Sequence, residues 1–142
     1  MVTRGDRFHA GLMRAAAVGT ILYWVAYFGF GAVQTASDAA YVAFENAFPL
    51  ADAYMAGAYL VAAHLLVRGR ATAVPVGIAA GSAMVFLGLM DTLFNLEHAQ
   101  YAARTPEMAI ETAINVVCLV FGPWTMVRLW RARRRLGGEA GR

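Results

Sequence analysis

The sequence predicts an all-α fold, an integral membrane four-helix bundle with both termini on the cytoplasmic side. Three observations carry that prediction. Of 142 residues, 60% are hydrophobic and only 15% are charged, whereas soluble domains carry about a quarter. Four apolar runs approach the roughly 20 helical residues that a bilayer core requires. Every basic side chain in the formal +3 balance is an arginine, and the arginines gather towards the ends of those runs.

The first run, "AAAVGTILYWVAYFGFGAVQTA" (residues 15–36), is uncharged and too long for a cleaved signal segment. It reads as a retained anchor behind a basic N-terminus. "SDAAYVAFENAF" (37–48) reads as a short amphipathic surface helix capped by Ser37. Pro49 opens the second run, "LADAYMAGAYLVAAHLLV", and "RGR" at 68–70 turns the chain into the third, "ATAVPVGIAAGSAMVFLGLM". Pro106 follows Thr105, a helix cap, and starts the fourth, in which Pro123 is expected to kink the helix. The spans are placed at about 13–36, 49–67, 71–95 and 106–130. They form one transmembrane domain over 1–136, with 137–142 expected to be a disordered tail.

Orientation follows from charge. Arg4, Arg7 and Arg14 precede the first span, Arg68 and Arg70 join the second to the third, and Arg128 to Arg135 close the fourth. The other two connections hold Asp38, Glu45, Asp52, Glu97 and Glu107 against Arg104 alone. The positive-inside bias therefore places both termini and the middle loop in the cytoplasm, at the inner (plasma) membrane. The arginines lie at the ends of apolar segments and not along a soluble face, so nucleic acid is not an expected partner. Membrane lipids are. "GIAAG" (77–81) is a small-xxx-small pattern, which offers Gly77 and Gly81 as a contact for a second copy of the chain. The lone Cys118 excludes an internal disulfide and CxxC chemistry, and fits a small core thiol.

Polar residues recur at helical spacing. Asp91, Asn95 and His98 fall within about 60° on one face. Glu111, Asn115 and Cys118 form a second stripe; Tyr23, Tyr27 and Asp38 recur along the first span, and Asp52 shares a face with Tyr59 in the second. On the orientation above, the acids lie in or at the edge of the outer half of the bilayer. They are expected to surround a pocket there. Asp91 and Glu111 are candidates for acid/base catalysis, with His98 and Asn115 orienting. Asp38, Asp52, Asn95, Tyr23, Tyr27, Tyr59 and Trp124 are candidates for ligand binding. An acid at a helix centre costs about 2.5–3.5 kcal/mol, less towards the interface, so a deeply placed one needs a partner. Two such carboxyls close together in low dielectric cannot both stay ionised cheaply, which sets a proton donor beside a base.

Asp91, Glu97, His98 and Glu111 carry ligating atoms, but no HExxH or paired ExxH pattern is present. Glu97 and His98 also point about 100° apart. No metal and no cofactor are expected. His9 and His64 read as incidental.

Four spans, cytoplasmic termini, Asp91 and His98 in the third span, and "E…N…PW" (Glu111, Asn115, Pro123, Trp124) in the fourth resemble the EXPERA superfamily. That group of four-helix membrane proteins includes a sterol isomerase and the sigma-2 receptor. The resemblance is one of architecture. It implies a lipophilic substrate entering from the bilayer, with acidic side chains protonating it or stabilising a carbocation. The resulting expectation is a protein that binds, or isomerises or cyclises by acid/base chemistry, a lipophilic small molecule. A proton-coupled transporter or channel subunit is the alternative, disfavoured by the Ala-, Val-, Leu- and Gly-rich inner halves of spans two and three. A non-catalytic membrane assembly subunit is a third reading.

Overall fold

The computed structural model describes residues 2–138. These form α1 (Arg4–Phe30), α2 (Ala39–Glu45), α3 (Pro49–Val67), α4 (Ala73–Glu97) and α5 (Pro106–Gly137). A 3-10 turn at Gln100–Ala102 precedes α5, and no strand occurs among the described residues. Four segments are long and apolar enough to cross a membrane: Arg4–Phe30, Ala39–Val67, Ala73–Glu97 and Pro106–Gly137. Of the tail expected at 137–142, Gly137 ends α5, and residues 139–142 lie outside the described residues.

Local chemistry sets each boundary. The Thr3 hydroxyl accepts from the Asp6 amide at 3.1 Å while the Asp6 carboxylate accepts from the Thr3 amide at 2.9 Å. This reciprocal cap satisfies donors that the first turn would leave unpaired, and it starts α1 at Arg4, well before the expected Met13. Gly31, at φ 62°, ends α1 after Phe30, short of the expected Ala36, because only glycine takes the left-handed cap without strain. Asp38, not Ser37, caps α2: its carboxylate accepts from the amides of Ala40 and Tyr41 at 3.1 and 3.0 Å. Thr105 caps α5 through the Met108 amide at 3.2 Å, and Pro106 occupies the first turn. α5 then runs unbroken through Pro123 to Gly137, beyond the expected end at Trp130.

The helices pack in sequence order, α1 on α3, α3 on α4 and α4 on α5. The α4–α5 seam is the closest. A Cβ at Gly81 would lie 2.8 Å from the Gly122 carbonyl oxygen, and one at Gly122 would lie 2.8 Å from that of Gly81. The Leu129 side chain fills the space over Gly77. The glycine face expected to meet a second copy is therefore already occupied within the chain. Small residues there bring two backbones together, the use that close packing makes of them.

Both described chain ends meet at one end of the bundle. Arg135 pairs with Asp6 at 2.9 Å, and Arg128 approaches the same carboxylate at 3.5 Å. This basic end lies opposite α2 and the 3-10 turn, which close the acidic end. Buried Met13, Tyr59, Leu66, Met84 and Leu129 form the core between them.

Candidate functional site: a carboxyl-lined cleft

α1 has no extensive seam with α5, and a cleft of about 410 Å³ lies between them. Its α1 wall carries Gly19, Thr20, Tyr23 and Trp24; its α5 wall runs from Ile110 to Cys118; α3 and α4 supply the back. At the rim, Gly19, Ile110, Ala113 and Val117 are exposed, so the cleft opens on the side of the bundle among apolar side chains.

Four carboxyls line this largely apolar space, Glu45, Asp52, Asp91 and Glu111, and no arginine or histidine does. Each is held by a neighbour. The Trp24 indole N–H donates to Asp52 at 2.8 Å, and the Tyr23 hydroxyl donates to Glu45 at 3.4 Å. The Asn95 amide, fully buried behind the cleft, donates to both Asp91 and Glu111. Asn115 spends its amide on the Tyr101 hydroxyl at 2.8 Å. Three buried acceptors then have no donor among the described residues: Glu111 Oε2, Asn95 Oδ1 and Asn115 Oδ1. Every amide N–H₂ in this cluster is used, and what is left over is acceptor. The arrangement favours a group that brings N–H or O–H bonds to Glu111 and Asn115.

The helical stripes therefore converge as expected for Asp91, Asn95, Glu111 and Asn115, and Asp52, Tyr23 and Trp24 join them from α1 and α3. Other expected residues stand elsewhere. His98 follows the last residue of α4; its ring is exposed and stacks on Phe94 at 4.1 Å, with Nδ1 2.9 Å from the Phe94 carbonyl oxygen. Asp38 is spent as the exposed cap of α2. Tyr27 stacks on Tyr23 outside the cleft. Tyr59 lies beneath the floor, donating to the Met84 sulfur at 3.2 Å. Trp124 sits towards the basic end, edge-on to His9 at 4.8 Å. His9, read from sequence as incidental, is fully buried.

Neither Glu45 nor Trp24 is among the site residues expected from the sequence. Glu45 reads as a surface acid on a short helix, but Tyr41 and Glu45, one turn apart, are the two buried residues of α2. That i, i+4 pairing was a usable signal. Among the described residues no group of three or more His, Cys, Asp or Glu side chains is placed to hold a metal ion. No family model matches the chain, and no match emerges among curated proteins or solved structures.

Proposed function

We propose that this chain is a multi-pass protein of the inner (plasma) membrane whose cleft takes a lipophilic small molecule from the bilayer. There it binds the molecule's polar head or converts it by acid/base chemistry, isomerising or cyclising it. The observation that carries this reading is the cleft's asymmetry: an apolar mouth on the flank of four membrane-length helices, with a buried cluster of carboxyls and amides at the back. A volume of about 410 Å³ is in the range of small-molecule sites. The unpaired acceptors of Glu111 and Asn115 suit a head that carries hydrogen-bond donors, and Trp24 and Tyr23 offer aromatic faces beside it. Asp91 and Glu111, joined through Asn95, place two carboxyls at one reacting centre, the pairing that lets one give a proton while the other takes one. The likeness to the EXPERA superfamily belongs to this same proposal, supported by the acids of the third and fourth spans.

Cytoplasmic termini complete the reading. The arginines flanking α1, the α3–α4 turn and the end of α5 support it through the positive-inside bias. Cysteines placed singly at Arg70 and Gln100 in a Cys118→Ala background should label from opposite faces of intact cells.

The ligand reading is tested by extracting lipids from the protein purified in mild detergent, followed by mass spectrometry. A non-phospholipid lipophile is expected in near-stoichiometric amount, reduced about tenfold or more in Glu111→Gln. Only bulk phospholipid, or equal retention in the variant, would overturn it.

A further inference from the structure

The basic half of the bundle looks apolar in sequence, yet it contains a second polar layer. His9, Tyr59 and Thr125 are each 0% exposed. Neither ring nitrogen of His9 has a hydrogen-bond partner among the described residues, and the Thr125 hydroxyl makes no well-formed bond. Unpaired buried polar groups are costly, so interiors keep few of them, and those without protein partners are usually met by ordered water.

His9 and Tyr59 both pack on Phe121. α5 turns Phe121, Trp124, Thr125 and Arg128 to one face at i, i+3, i+4 and i+7. The His9 ring packs 5.6 Å from Phe121 and 4.8 Å from Trp124, and Phe121 lies 5.7 Å from Tyr59. The Tyr59 hydroxyl lies beside that of Thr125 and touches the sulfur of Met84, which lines the cleft. Asp6 from the same helix and Arg128 from α5 are the charged groups facing His9, and Asp6 is tied to Arg135 at the basic end. At the far side of the cleft, Asn115 reaches the half-buried Tyr101 of the 3-10 turn. Polar side chains thus recur along the bundle, with the Phe121 ring between His9 and Tyr59 and the Met84 sulfur between Tyr59 and the cleft.

We propose that His9, Thr125 and Tyr59 hold a water-linked hydrogen-bond thread along which protons pass between the basic end and the carboxyls of the cleft. Histidine suits the entry: one ring nitrogen takes a proton while the other releases one, and the ring returns by tautomerisation. Each hydroxyl gives up its proton as it receives another, so one proton moves and no side chain is consumed. The thread would restore the protonation of carboxyls that the apolar flank of the bundle shields from water. This deepens the acid/base reading of the cleft, but proton movement itself requires no ligand.

The test is proton flux. The full chain is reconstituted into liposomes containing a pH-sensitive dye, and a potassium diffusion potential is imposed. Flux is expected above that of protein-free liposomes, and at least fivefold lower in both Tyr59→Phe and Thr125→Val. These changes remove a hydroxyl while keeping the ring or the branched shape. Thr112→Val is the control, since that exposed hydroxyl is spent on the Met108 carbonyl at 2.7 Å; its flux should stay unchanged. Wild-type flux no faster than empty liposomes, or equal flux in both variants, overturns the proposal. The assay contains no lipophile, so its failure leaves the ligand-retention result to be judged separately.

Discussion

Asn95 is the residue on which the cleft cluster turns. It is fully buried, and its single amide nitrogen serves two carboxylates from two helices. Replacing it by leucine leaves Asp91 and Glu111 without that donor in an apolar setting. A loss of about 1–3 kcal/mol is expected, read as a lower midpoint in thermal or denaturant unfolding in detergent. Asn95→Asp should be at least as damaging, because it sets a third carboxyl between two others. Much of this cluster was legible in the sequence, since Asp91, Asn95, Glu111 and Asn115 are spaced by four residues and a helix lines up such positions. His98, three residues beyond Asn95 and on the same expected face, still misses the cleft. α4 ends at Glu97, so the face extrapolated beyond it no longer exists at His98. His9 was illegible for the opposite reason: what buries it is Phe121 and Trp124, more than a hundred positions away in the chain.

At the scale of elements, the α4–α5 seam and the α1 cap make opposite demands on side chains. Gly81→Ala would put a methyl group against the Gly122 carbonyl, which is backbone and has no rotamer by which to withdraw. The two helices must separate, and a loss of about 1–3 kcal/mol is expected, seen as a depressed melting temperature. Gly11→Ala, where a Cβ meets nothing within 4 Å, should be neutral or slightly stabilising in the same measurement. At the start of α1, Thr3→Ala removes one half of the reciprocal cap and should cost about 0.5–2 kcal/mol. Asp6→Ala should cost more, because the same carboxylate also binds Arg135. The early start of α1 was in principle readable. "TRGD" has the spacing of a reciprocal cap, but hydropathy dominates the reading of a membrane segment and begins only where charge stops.

For the molecule as a whole, hydropathy gives the number of long helices, and nothing in it says which pair leans apart. That depends on how ridges on α1 meet α3 while only its first turns reach α5, a matter of side-chain shape. The flank opening between α1 and α5 is therefore a finding of the structure. It leads to a prediction: Gly19→Trp, at an exposed rim position with open space around it, should block the mouth and lower lipophile retention about fivefold or more. Gly29→Trp, on the same helix but away from the cleft, should leave retention unchanged, with both variants compared by mass spectrometry of extracted lipid.

The pairing of Asp6 with Arg135 joins positions separated by 129 residues. α1 is synthesised well before α5, so its clasp on α5 must wait until Arg135 has been made. Until α5 is made, α3 is the long helix against which α1 can pack, and Asp6 faces no arginine from α5. Nascent chains halted before Arg128 should accordingly be cut by protease near Asp6 far more readily than chains that extend through Arg135, which dates the closing of the bundle to the synthesis of α5.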